Sequence, residues 1–184
     1  FYDSLIIDEA QDFDDLWFNL LELIQKKNSM IYTFADDNQK IKKVTNKNLY
    51  KIQRSPFPLN HNMRNTKSIF NALNLFYKGD TENCFGPKGQ SIIIDRVGSN
   101  TIKDIEKKIN NLTIIEKIKP QDITILTTVS IENSVFSDVS SIAGYDVRKI
   151  ENRELDSIVI DTIFRFKGLE SNVVILVCDN NSLN

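Results

Sequence analysis

The sequence predicts an α/β chain whose parallel sheet is doubly wound and flanked by helices. Three observations carry that expectation. The chain opens as strand, helix, strand. Strands and amphipathic helices then alternate almost to the end. The apolar runs stop on polar clusters, at the strand ends where open α/β sheets place their ligands.

The first strand, Ser4 to Ile7, belongs to the stretch LIIDEAQDF and reads as a buried parallel strand that runs straight into Asp8 and Glu9. These two acids suit a hydrated metal ion and a polarised water, and equally an ordinary solvated helix start. Asp14 begins a helix to about Lys27, with Leu16, Trp17, Leu20, Leu21, Leu23 and Ile24 on one face. Its acids stand at the positive end, and Lys26 and Lys27 at the negative end. Met30 to Phe34 is a second strand, ending on Ala35-Asp36-Asp37-Asn38-Gln39.

Ser55-Pro-Phe-Pro-Leu59 reads as an extended linker. It sets the expected domains at 1–55 and 56–184. Thr66 caps a helix to about Tyr77. Ser91–Asp95 is a strand, Asn100 to about Lys117 a helix, Asp122–Thr127 a strand, and Ile131 to about Ala143 a helix. Tyr145–Ile150, Ser157–Thr162 and Asn172–Val177 complete the strands. Gly86-Pro-Lys-Gly-Gln-Ser91 lacks phosphate-loop spacing, because its glycines flank a proline rather than open a helix, and it reads as a turn.

Hydrophobic residues make up 41% and charged residues 26% of the 184, as in globular proteins. Neither a membrane span nor a signal peptide is visible. Two distant cysteines, Cys84 and Cys178, and one histidine, His61, argue against a disulfide framework or a zinc site and for a reducing cytoplasm. The net charge of −2 conceals segregation. Phe1 to Asp37 holds nine acids against two lysines, whereas Asn38 to Gly79 holds no acid and nine basic residues, among them Lys40, Lys42, Lys43 and Lys47. Such a block either attracts phosphates and nucleic acid or simply solvates a surface.

Four motifs occur in order: Asp8-Glu-Ala-Gln-Asp-Phe13, Asp36-Asp-Asn-Gln39, Asn62-Met-Arg-Asn-Thr66 and Thr162-Ile-Phe-Arg-Phe-Lys-Gly-Leu-Glu170. In this the chain resembles the UvrD/Rep-type superfamily I helicases. It is most similar to the branch in which DEAQDF, RNT and FKGLE occur together, some of whose members carry a nuclease-related domain. The resemblance implies a RecA-like fold of the P-loop NTPase type, comprising part of a first lobe and most of a second. It implies ATP and Mg2+ as ligands and single-stranded DNA, or RNA, as partner, with 3′-to-5′ movement.

By the same resemblance Asp8 holds Mg2+, Glu9 is the general base and Gln39 senses the γ-phosphate. Arg64 acts as an arginine finger, Gly168 lets the backbone approach the nucleotide, and Glu170 accepts from the ribose hydroxyls. Lys40, Lys42, Lys43, Thr162 and Lys167 lie toward nucleic acid, with Tyr50 or Phe57 as a stacking face. The family's phosphate loop and last arginine motif are not in these residues, so a fragment inactive on its own is expected. Phe164 replaces a usual His, and lysines follow Gln39 where the family has an aromatic. About a hundred residues separate Arg64 from Lys167, too few for a large inserted domain. The alternative is a helicase-like switch or scaffold that binds nucleotide or partners without unwinding. A metal-dependent nuclease on Asp8 and Glu9 would want further carboxylates and a lysine beside them.

Overall fold

In the computed structural model the described residues are 1–40, 47, 49, 55–77, 83–96, 98 and 100–178. They form two compact units, Phe1–Ile94 and Asp95–Asn184. Ser55–Leu59, the expected boundary, falls within the span of the first unit.

The first unit is built on β1 (Tyr2–Ile7) and β2 (Gln25–Thr33), a parallel pair joined through helix α1 (Asp15–Leu23). Asp14 caps α1 by accepting from the Trp17 N–H at 3.1 Å. The helix ends four residues earlier than expected, because the residues after it are claimed by the sheet. Gln25 pairs with Tyr2, and Lys26 reaches Asp3 at 2.8 Å instead of sitting at a helix end. The register then slips between Tyr2 and Ser4, across a bulge in which Asn28 is left-handed (φ 70°) and Ser29 donates to Gln25 at 2.9 Å.

Ile7, Ala10, Phe18 and Leu49 form this unit's core, with Phe13, Leu21 and Ile31 against it. The buried side of α1 is thus Phe18 with Leu21. The expected stripe of Leu16, Trp17, Leu20, Leu23 and Ile24 is exposed, as is Ile6 on β1. The same unit holds β3 (His61–Asn62), α2 (Lys67–Leu73) and β4 (Asn83–Cys84), with β3 and β4 in parallel. Thr66 caps α2 as expected, accepting from Ile69 at 3.4 Å.

The second unit contains α3 (Thr101–Asn110), β5 (Ile123–Thr127), β6 (Ser141–Ile142), β7 (Tyr145–Arg148), β8 (Ile158–Thr162) and β9 (Val173–Val177). The strands form one sheet in the order β6-β7-β8-β5-β9. Ile105 and Ile109, one turn apart on α3, meet Ile123, Ile125, Ile158 and Ile160, the alternate residues of β5 and β8, around Phe136 and Ile142.

This arrangement corrects the expected fold class. The sheets are small and their strands short, and the five-stranded sheet is mixed, because β6 pairs antiparallel with β7. It is not a RecA-like parallel sheet. Two expected elements account for the difference. Ser91–Asp95 forms no strand. Ile131–Ala143 forms a single 3-10 turn and then β6 in place of a helix. Ser134 illustrates why: its hydroxyl donates to the Ile131 carbonyl at 2.8 Å and accepts from the Phe136 N–H at 3.1 Å, so the side chain competes with helical pairing. Ala143 and Gly144, with φ of 51° and 83°, then turn the chain back in the two-residue hairpin that supplies the antiparallel edge.

Among the described residues no helix is long and apolar enough to cross a membrane, and Cys84 and Cys178 are free thiols.

Replacing Ala143 with glycine tests the left-handed hairpin position. In the hairpin, release of about 1–2 kcal/mol of left-handed strain matches or exceeds glycine's entropic cost of about 0.5–1 kcal/mol. The urea midpoint of Ala143→Gly is therefore unchanged or higher.

Candidate functional site

The carboxyl end of β1 brings the first two motifs together. Phe34, just beyond β2, donates its N–H to the Ile7 carbonyl at 2.8 Å and accepts from the Ala10 N–H at 2.9 Å. This clamp forces Asp8 and Glu9 into a tight turn, and Glu9 takes a left-handed backbone (φ 52°, ψ 37°). A carboxylate residue there costs about 1–2 kcal/mol, a strain found where the surroundings over-determine a functional side chain. Asp8 is exposed and accepts from the Glu9 N–H at 2.9 Å, while Glu9 is half-buried.

Gln11 is the centre of the site. It is 0% exposed, and its amide uses both ends. Nε2 donates to Glu9 Oε2 at 2.5 Å, and Oε1 accepts from the Asp36 N–H at 3.0 Å. Asp36 in turn accepts from the Asn38 N–H at 2.9 Å and from Gln39 Nε2 at 2.9 Å, capping the 3-10 turn Asp37–Gln39. Hydrogen bonds therefore link Glu9 to Gln11 and Gln11 to the Asp36 backbone, and the Asp36 carboxylate links on to Gln39, which ties the ends of both strands. A carboxamide donates to a carboxylate from its nitrogen and accepts from a backbone N–H at its oxygen, and those two partners fix which end is oxygen. Tyr77 touches the same turn: burial first, and then the Asp36 carboxylate, push its hydroxyl above the ordinary value of 10.0, while its bond with Asn38 acts the other way.

Neither Gln11 nor Asp36 was assigned a role from the sequence. The available signals were a polar residue between Ala10 and Phe13 in a segment closing on the core, and the Asp-x-Asn spacing of a side-chain-capped turn.

Arg64 is carried by another part of the first unit. It is exposed on a turn whose centre is Asn62, where Oδ1 accepts from the Arg64 N–H at 3.3 Å and the Asn65 N–H at 2.9 Å. Lys40 is half-buried directly after the Gln39 turn. Lys42, Lys43 and Tyr50 lie outside the described residues, and Phe57 is exposed.

Thr162, the last residue of β8, and Lys167, Gly168 and Glu170, on the loop leaving it, belong to the second unit. Asp161, 1% exposed, organises it by accepting from the Ile150 N–H at 3.1 Å and the Thr162 N–H at 2.8 Å and pairing with Arg165 Nε at 3.2 Å. Arg165 also pairs with Glu151. Thr162 accepts from the Arg165 N–H at 3.3 Å, and Phe166 is buried. Gly168 needs its freedom, with φ of 80°, and faces open space. Lys167 is half-buried and Glu170 exposed.

No model of a known protein family matches this chain, and no curated protein sequence does.

Among the described residues no cluster of three or more His, Cys, Asp or Glu side chains is arranged for a metal. An exposed carboxylate such as Asp8 nevertheless fits Mg2+, which keeps its waters and usually takes one or two protein carboxylates together with substrate phosphates.

Gln11→Met, similar in size, leaves the Asp36 N–H without its buried partner. The variant loses about 1–3 kcal/mol in urea unfolding. For Asp161→Ala, which strips the acceptor from two backbone N–H groups, the expected loss is roughly 2–3 kcal/mol by the same assay.

Proposed function

We propose that this chain is part of an ATP-dependent motor that moves along single-stranded nucleic acid, DNA with 3′-to-5′ polarity by its resemblance to the UvrD/Rep helicases. One observation carries the reading: the hydrogen-bonded path from Glu9 through Gln11 and Asp36 to Gln39. A motor needs the group that activates water and the group that senses the γ-phosphate to move together, and this path couples them.

The residues then divide the work. Asp8 offers the carboxylate that holds Mg2+, which when bound neutralises phosphate charge. Glu9, oriented by Gln11, takes the proton of the attacking water as general base. Gln39 engages the γ-phosphate, so loss of that phosphate is felt at Asp36 and Glu9. Arg64 supplies a permanently charged guanidinium to the charge developing on the transferred phosphoryl group. The resemblance assigns Gly168 and Glu170 to nucleotide binding, the latter through ribose hydroxyls. The resemblance assigns Lys40, Lys42, Lys43, Thr162 and Lys167 to nucleic-acid binding, the lysines as phosphate contacts.

A second reading has a specific observation behind it. Phe164 stands where the family has His and is 55% exposed, a surface suited to a partner. On that reading the site binds nucleotide as a switch and turns nothing over.

The two readings separate in the full-length protein. A motor hydrolyses ATP faster when single strands are added, and Glu9→Gln lowers that rate by about 10²–10⁴-fold, the contribution of a general base. ATP binding with no turnover, with or without DNA or RNA, contradicts the motor and leaves the switch.

A further inference from the structure

The segment Asn83–Gly89 has no role in the reading so far, yet it wraps the turn that carries Arg64. β4 lies along β3, pairing Asn83 with His61 and Cys84 with Asn62. Past the strand, the Phe85 N–H donates to the Asn62 carbonyl at 3.0 Å, and Cys84 Sγ donates to the Asn65 carbonyl at 3.3 Å. The Phe85 ring stacks on His61 with centroids 5.4 Å apart and planes 6° from parallel. The chain then crosses the front of α2. There the Pro87 carbonyl accepts from the Lys67 N–H at 2.8 Å, and the Lys88 carbonyl accepts from the Ser68 N–H at 3.2 Å and the Ser68 hydroxyl at 3.0 Å.

The glycines make this approach possible. A Cβ on Gly86 would overlap the Asn65 carbonyl oxygen, and one on Gly89, itself left-handed at φ 67°, would overlap the Thr66 side chain. Gly86-Pro-Lys-Gly89 is thus a fitted clasp, touching both residues that follow Arg64 and the two after them.

We propose that the Asn83–Gly89 clasp is the device that positions Arg64, with Gly86, Gly89 and Ser68 as positioning residues for the arginine's action on the γ-phosphate. The proposal rests on the function inferred above for Arg64. Within the turn the Asn62 side chain braces Arg64 and Asn65, and the clasp holds the flanks at Asn62, Asn65, Thr66, Lys67 and Ser68.

The test uses Gly86→Ala, Gly89→Ala and the milder Ser68→Ala in the full-length protein, with two readouts. In amide hydrogen exchange, the N–H groups of Arg64, Asn65, Lys67 and Ser68 exchange about tenfold faster in the glycine variants and about threefold faster in Ser68→Ala. In ATP turnover with single strands, kcat falls about tenfold in the glycine variants with KM for ATP unchanged, and Gly89→Ala adds nothing to Arg64→Ala.

Faster exchange at Lys67 and Ser68 alone, with Arg64 and Asn65 still protected, overturns the proposal, because the clasp would then only cap the helix. So do independent, multiplicative losses in the double variant. Should a glycine variant fail to fold, Ser68→Ala decides by the same pattern at smaller size. An unmutated protein without turnover refutes the motor, and the exchange pattern then still judges the clasp.

Discussion

The arrangement depends on one buried carboxamide. Gln11 has two obligations, a carboxylate oxygen on Glu9 and a backbone N–H on Asp36, and meets both with a single planar group in a place without solvent. An unpaired buried polar group is costly, so neither strand end can drift without leaving a partner unsatisfied. The clamp of Phe34 on Ile7 and Ala10 works with it, fixing the backbone while Gln11 fixes the side chains. The left-handed Glu9 is tolerable only because both hold.

From that centre the first unit extends in a consistent way. The Asp36 carboxylate passes the constraint to Asn38 and Gln39, and the Asn38 side chain to Tyr77 beyond α2. At the other end of α2 the Asn83–Gly89 segment grips the Arg64 turn. The stretch from Asn62 to Tyr77 is therefore anchored at one end by a clasp and at the other by the turn that carries Gln39. In the second unit Asp161 plays a comparable part, a buried carboxylate that gathers Ile150, Thr162 and Arg165 and so shapes the loop toward Gly168.

What was legible in the sequence is what local chemistry decides. Asp14, Thr66 and Asn100 announce their helices because a short oxygen-bearing side chain satisfies an N-terminal N–H by itself. The β-branched runs at Ile123–Thr127, Ile158–Thr162 and Val173–Val177 stand out as strands for the same local reason. The rest is decided at long range. Gln25–Ser29 is polar and becomes strand and bulge through Tyr2 and Asp3. Phe18 rather than Leu16 or Leu20 faces the core, because α1 is apolar nearly all round and its sequence names no side. The Ala143–Gly144 hairpin, which makes the sheet mixed, hides in a segment whose isoleucines and valines also fit a helix. Gly86-Pro-Lys-Gly89 reads as a turn until Asn65 and Thr66 are seen against its glycines. The motif acids, Gln39 and Arg64 were legible as residue types in order, but the link between Glu9 and Gln39 was not, since it runs through a residue with no chemistry of its own.

The measurement that tests this account most directly is a double-variant cycle on Gln11→Met and Gln39→Ala, read as single-strand-stimulated ATP turnover of the full-length protein. If Gln11 carries the coupling proposed between Glu9 and Gln39, the two losses are strongly non-additive, with a coupling of about 0.5–3 kcal/mol as for residues of one network, and the double variant is little worse than the poorer single one. Losses that simply multiply would show the two residues working independently, and would contradict the central role given to the buried glutamine.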